Sequence, residues 1–268
     1  MSRLFSVVIL IAGLLPVPAF AQADNDGLWD RIRASVFQDR PISEQSASIL
    51  ELEAPLRAED AATVPIAIHT KQPGDGIRIQ RVYLVIDHNP SPVGAIFSFF
   101  PDSGRADIET RVRIEDYTMV RAIAELSDGR LFMASRYVKA AGGCSAPAGK
   151  DQAAALARLG RIKFRVDGEP VIGQPTQAQL MISHPNNSGL VKDQLTLLYV
   201  PAHFVRRVEV SYAGKPVMTA DVDFTISENP NFRFYFVPHE AGELKAEIVD
   251  SNDLHFESSI AVVKTPGQ

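Results

Sequence analysis

The chain has 268 residues, of which 46% are hydrophobic and 22% charged, with a formal net charge of −5. That apolar share is enough for a packed core and excludes a disordered chain. A mildly acidic sequence without a basic tract excludes nucleic acid as the natural partner.

In chain order the first element is a leader. Arg3 precedes an apolar run from Leu4 to Leu15, and then comes "PVPAFAQAD". A basic n-region, an apolar h-region and a small-residue cleavage site read as a signal peptide over residues 1–23. Both Ala19-Phe20-Ala21 and Ala21-Gln22-Ala23 fit the cleavage pattern, so the mature chain is expected to start near Gln22 or Asp24. The apolar run is shorter than the roughly 20 residues that span a bilayer. The expectation is an exported, soluble protein. Export normally favours paired cysteines, yet Cys144 is the only one. Three readings stay open for it: a free reactive thiol, half of an intermolecular pair, or a small buried hydrophobe.

A short amphipathic helix is predicted over Leu28–Phe37, with Asp26 able to cap its start. "SASILELEAP" is ambiguous between helix and strand. From Thr63 the apolar positions alternate with period two, in "TVPIAIHT", "IRIQRVYLVID", "GAIFSFF", "TRVRIE", "TMVRAIAEL" and "RLFMASRYV". Ser127-Asp128-Gly129 joins the last two as a hairpin, and 73–76 and 89–92 mark other turns. Short strands at this spacing predict an antiparallel sandwich. "DQAAALARLG" then predicts a short helix ended by Gly160, with the domain boundary near residues 140–160. Beyond it, "RIKFRV", "QAQLMIS", "LTLLYV", "VRRVEVSYAGKPVMTADVDF", "FRFYF", "GELKAEIVD" and "LHFESSIAVV" read as a second sandwich, with a hairpin at Tyr212–Lys215. Phe232, Phe234 and Phe236 alternate as one buried strand face, or as a partner surface. The fold class is therefore all-β, two Ig-like antiparallel β-sandwiches in tandem behind a short N-terminal helix. The divisions fall at 24–139, 140–160 and 161–268.

The chemistry centres on the arm, residues 140–160. Gly142 and Gly143 remove bulk before the sulfur of Cys144, and Gly149 frees the chain after it. Such a segment reaches into a narrow site with little but the sulfur needing room. Lys139 and Lys150 flank it and modestly favour a thiolate. The alternative is a Gly-Gly turn with an incidental thiol. The six histidines, His69, His88, His184, His203, His239 and His255, show no metal-ligand spacing, so no metal is expected. No dinucleotide or Walker-type loop occurs, and no cofactor is expected. Asp102 to Glu109 reads as a solvated turn, since its spacing does not match a calcium loop. Asn186-Asn187-Ser188 is a glycosylation sequon.

At this point the segments resemble a known family. "RLFMASRYVKAAGGCSAPAG" is similar to the end of SoxY, the sulfur-oxidation carrier subunit, whose chain closes with a Gly-Gly-Cys-Gly-Gly arm. "MISHPNNSGLVKDQ", "VPAHFVRRVEVSYAGKPV" and "SENPNFRFYF" are similar to SoxZ, through Ile182, His184, Pro185 and Gly189, then Pro201 and Phe204, then Ser227, Asn229, Pro230 and Phe232. Both subunits are fused in order, as in the SoxYZ-like carriers associated with quinoprotein dehydrogenases. The resemblance implies a SoxY–SoxZ-type interface within one chain and a sulfur-containing group carried covalently on Cys144. It also implies periplasmic enzymes that load and unload Cys144, with a quinoprotein dehydrogenase and a c-type cytochrome among the partners. Two departures stand out: Ser145-Ala146-Pro147 replaces the glycines after the cysteine, and the arm is internal where the family has a free end. The expected function is a periplasmic, non-enzymatic thiol carrier. The rivals are a non-covalent assembly module of a quinoprotein dehydrogenase system and, more remotely, a thiol enzyme with a histidine beside Cys144.

Overall fold

A computed structural model describes residues 27–262 apart from 75, 147–151 and 194–195. The leader over 1–23, the capping residue Asp26, and Gly149 and Lys150 of the arm lie outside the described residues. Helix α1 (Leu28–Phe37) has the predicted bounds and buries Ile32 and Phe37, with Gly27 at its N-cap. The first half continues with β1 (Ile42–Ser43), β2 (Leu50–Glu53), β3 (Val64–Thr70), β4 (Ile79–Ile86), β5 (Val93–Phe99), β6 (Ile108–Val112), β7 (Thr118–Leu126) and β8 (Leu131–Val138). Helix α2 (Gln152–Ala157) follows the arm. The second half holds β9 (Ile162–Val166), β10 (Thr176–Ile182), β11 (Val205–Tyr212), β12 (Lys215–Val222), β13 (Asn231–Phe236), β14 (Glu243–Asp250) and β15 (His255–Ala261).

The strands form two stacked sheets, in the orders β1-β8-β7-β4-β5-β12-β11-β14-β15 and β2-β3-β6-β13-β10-β9. Each half supplies strands to both layers, so each is an Ig-like sandwich, and the two sandwiches join edge to edge. In the larger sheet β5 and β12 pair from Phe99↔Met218 to Ala95↔Val222. In the smaller sheet β6 and β13 share one register pair, Glu109↔Arg233, extended by the isolated bridge Val112↔Ile226. One apolar core runs through the junction, with Phe97 packing edge-on against Phe232 at 6.1 Å. Phe232, Phe234 and Phe236 are fully buried, which settles them as a core face. A second cluster under α1 includes Phe37 and Tyr83, whose rings meet edge-on. There Arg121 and Asp87 form a buried bidentate ion pair beneath the Trp29 ring.

Three local expectations differ. "SASILELEAP" resolves as a strand, β2, because Leu50 and Leu52 alternate inward against β3. The described part of "LTLLYV" is not a strand: Leu197, Leu198 and Tyr199 are exposed, and it pairs only locally with residues 191–193, through the bridge Lys192↔Tyr199 and the Leu197 and Val200 amides. Apolar alternation without a neighbouring edge to pair with yields no strand. Within the predicted solvated turn, Asp107 is buried and accepts hydrogen bonds from the Thr70 amide and hydroxyl.

Because one core crosses the junction, the halves are expected to unfold together. Phe232→Ala in the second half should cost about 3–5 kcal/mol. Urea titration followed by Trp29 fluorescence, which reports only the first half, should show that loss. A Trp29 transition that does not move would mean the halves unfold independently.

Candidate functional site

The arm leaves β8 and folds back onto the segment after β6. The Gly142 amide donates to the Glu115 carbonyl at 2.8 Å, and the Gly143 amide donates to the Ile114 carbonyl at 2.9 Å. Glu115 then turns its side chain onto the cysteine. Its carboxylate accepts from the Cys144 amide (2.9 Å), the Ser145 amide (3.3 Å) and the Ser145 hydroxyl (3.1 Å). From the second half, the Ser188 hydroxyl donates to the Cys144 carbonyl at 2.5 Å. The glycines have different reasons. Gly142 sits at φ +80°, where a side chain is strained, whereas a Cβ on Gly143 would lie 2.1 Å from the Ala61 carbonyl oxygen.

Of the readings left open for Cys144, the structure shows a buried residue with no exposed surface. Burial pushes its pKa up to about 12, the Glu115 carboxylate and then Asp223 add to the rise, and Arg113 opposes it. Lys139 is not among the charges that act on the thiol, and its backbone pairs with Leu56 and Ala58. Since the thiolate is the nucleophile, the sulfur is inert in this arrangement. Among the described residues, the charges that act on the thiol are Glu115, Asp223 and Arg113, and no histidine is one of them.

The second half reaches the arm through Ser188, and His184 and Ser227, among the residues that carry the sequence resemblance, are buried in it. Asn186 is fully buried, its amide donating to the Ile226 carbonyl and accepting from the Val205 amide. The sequon asparagine is thus inaccessible in the fold. Ser227 donates from its hydroxyl to the Ala62 carbonyl across the junction (2.7 Å), and Arg113 from the first half donates to the Phe224 and Ile226 carbonyls. The histidines were expected to be dispersed, but His184 and His203 meet at Asp250, with the three ligand-type atoms within 4.8 Å of one another. His203 Nε2 lies 2.7 Å and His184 Nε2 3.5 Å from Asp250 Oδ2, while Oδ1 accepts from the Asn252 and Leu254 amides. The Asn186 amide donates to His184 Nδ1 at 3.0 Å. The neutral ring therefore carries its proton on Nε2, facing the carboxylate. A metal at Nε2 would force that proton onto Nδ1, against the Asn186 N–H. The donor set fits a hydrogen-bonded hub better than a metal site.

Fold and site together define a tandem Ig-like protein whose single cysteine is held at the junction of its halves. Family comparison is specific on this point: residues 33–144 match "Sulfur oxidation protein SoxY" and residues 164–261 match "Sulphur oxidation protein SoxZ". The chain belongs to the SoxYZ-like proteins, with both domains fused in one polypeptide. SoxY and SoxZ are carrier and adaptor proteins of sulfur oxidation. No curated protein matches the sequence. A superoxide reductase (neelaredoxin) variant from Ignicoccus hospitalis is similar at 16% identity over 39% of this chain and 96% of its own, with a TM-score of 0.33. A β-glycosidase from Bacteroides vulgatus is similar at 10% identity over 85% of this chain and 26% of its own, with a TM-score of 0.25. At those scores neither likeness carries an argument.

The hub gives the fold an acid limit. Burial lowers the His184 pKa from 6.5 to about 4, so the unfolded chain binds a proton there before the native state does. Stability is expected to fall by roughly 3 kcal/mol, at about 1.36 kcal/mol per pH unit, as pH drops through that window. Asp250, whose carboxyl its hydrogen bonds from His203, Leu254 and Asn252 hold low against burial, adds loss at still lower pH. Urea midpoints of wild type and His184→Gln between about pH 7 and pH 4 check this; equal slopes would remove His184 from the account.

Proposed function

We propose that the protein is a periplasmic carrier that holds a sulfur-containing group on Cys144 and presents it to partner enzymes, without catalysing a reaction itself. The observation that carries the reading is the place of Cys144. The single thiol lies on a Gly-Gly-Cys segment between a SoxY-type and a SoxZ-type half, where few and local bonds secure it. The export pattern around Arg3, Leu4–Leu15 and the A-x-A sites supports the periplasmic setting. In this reading residues 24–139 and 161–268 are the two handles that partners grip, and 140–160 is the working segment with Gly142, Gly143 and Gly149.

Loading is an exchange. The open arm's thiolate attacks the sulfur of a donor R–S–X, a Cys144–S–S–R bond forms, and X leaves with the electron pair of the broken S–X bond. At the acceptor a second thiolate attacks the outer sulfur, its new S–S bond to R forms, and the Cys144 thiolate leaves with the electron pair of the broken bond, so no outside oxidant is needed. Before loading, the arm must leave Glu115, because burial keeps the sulfur protonated. The quinoprotein dehydrogenase and c-type cytochrome implied by the family are the partners to seek by co-purification.

One observation favours a second reading. A fully buried thiol with a pKa near 12 also suits a purely structural cysteine in a non-covalent assembly module. The two readings part on one substitution: Cys144→Ser abolishes partner-dependent sulfur turnover for a carrier and leaves it intact for a module. Intact-mass spectrometry of protein purified without reductant should find a sulfur adduct on Cys144 in part of the population; a uniformly bare thiol that resists loading by a thiosulfonate reagent would overturn the carrier.

The latch itself can be tested. Charge-assisted hydrogen bonds are worth about 1.5–3 kcal/mol, so Glu115→Ala should raise the rate of iodoacetamide labelling by about tenfold or more. Gly143→Ala should act in the same direction, by denying the arm its seat at Ala61. Unchanged rates in both variants would mean that the arm is not held by these contacts.

A further inference from the structure

Among the described residues, two buried side-chain polar atoms have no hydrogen-bond partner: Thr110 Oγ1 and Arg111 Nε, on consecutive residues of β6. Both residues line one cleft of about 590 Å³, which straddles the junction in the six-stranded sheet. Native folds rarely leave buried donors unpaired. Along β6, Thr110 turns with Ile108 and Val112 to the core, whereas Arg111 turns with Glu109 to the cleft, so Arg111 Nε is the exception that bears on the hollow.

The hollow has a structural cause. Only one register pair joins β6 to β13. On the other side of β6, the positions paired with Arg111 and Glu109 are the short residues Pro65 and Ala67. The lining is rich in donors. Arg111 uses Nη2 in a long 3.3 Å bond to the Asn229 carbonyl, which leaves Nε uncommitted. Arg233 stands 3.6 Å from Glu109, too far for a hydrogen bond. Gln179 donates to the Asn231 side-chain oxygen at 3.0 Å, which leaves the Asn231 amide as a donor. Two acceptors complete the lining, the carboxylates of Glu53 and Glu109.

We propose that this cleft binds a small hydroxy-carboxylate. Arg111 and Arg233 take its carboxylate, as guanidinium groups do in bidentate fashion, and Glu53 and Glu109 accept from its hydroxyls. The same two glutamates disfavour a multiply charged anion. The volume is within the range that small-molecule sites occupy, about 300–1,000 Å³. This site is separate from the arm, and its test stands apart from the carrier reading.

Gluconate is the probe, and the neutral polyol glucitol is its control, in calorimetric titrations of the full chain. Wild type should bind gluconate saturably and glucitol far more weakly. Arg111→Gln should weaken gluconate by about tenfold or more, which is 1.4 kcal/mol. Arg233→Gln changes an exposed side chain on the other half, so it should weaken binding with the melting temperature unchanged, even if Arg111→Gln perturbs the fold. Failure to saturate at about 50 mM, far above the roughly 1 mM of a weak site, would mean that water alone satisfies Arg111 and would overturn the proposal. So would equal binding of glucitol, or unchanged affinity in Arg233→Gln.

Discussion

Two open sheet edges in each half meet their counterparts in the other, and the rest of the molecule depends on that pairing. Separately, β5 and β6 of the first half and β12 and β13 of the second would each present a row of unpaired N–H and C=O groups, the usual template for aggregation. Joined, they extend both layers and let a single core run from Phe97 to Phe232. Fusion into one polypeptide makes the encounter intramolecular, so the pairing does not depend on protein concentration. Several contacts around the site cross this seam: Ser188 to Cys144, Ser227 to Ala62, and Arg113 to Phe224 and Ile226.

In the proposed carrier reading, the seam also accounts for how a lone thiol would survive the oxidising setting of an exported protein. A carrier sulfur has to be reactive with its partners and unreactive otherwise. Burial against the junction meets the second need, since the thiolate is disfavoured both by desolvation and by the Glu115 charge. What binds the arm is a small set of polar contacts, with Glu115 common to most of them. Opening is then a local event of low free energy compared with unfolding the sheets. Ser145, one of the residues that depart from the family's glycines, contributes two of the bonds to Glu115. An arm tethered at both ends and held by Ser145 needs less freedom than a free tail, and the substitution of glycine is consistent with that.

Much of the fold was legible because it is written locally. Period-two alternation gave nearly every strand, and Tyr212–Lys215 and Ser127–Gly129 gave two hairpins. The exception, "LTLLYV", shows the limit: alternation marks a segment able to pair, while a strand also needs an edge beside it. The site was harder for the same reason. Glu115 lies 29 residues from Cys144, Ser188 lies 44 away, and His184 lies 66 from Asp250. No spacing rule brings such residues together; the sheet order does. Gly143 was read as a source of reach, since a sequence cannot reveal the Ala61 carbonyl that leaves no room for a Cβ.

The motifs that identify the second half acquire a different meaning from the structure. Asn186, Gly189 and Asn229 all hold positive φ, at 48°, 83° and 52°. His184 bonds to both asparagines, its ring accepting from the Asn186 amide and its backbone pairing with Asn229. A buried neutral histidine anchored on Asp250 thus fixes the loop that carries Ser188, and Ser188 fixes the carbonyl of Cys144. In this arrangement these residues hold the loop and, through Ser188, the Cys144 carbonyl. They make the second half a rigid mould for an arm that belongs to the first, so that a thiol on one sandwich is sheltered by the loop geometry of the other.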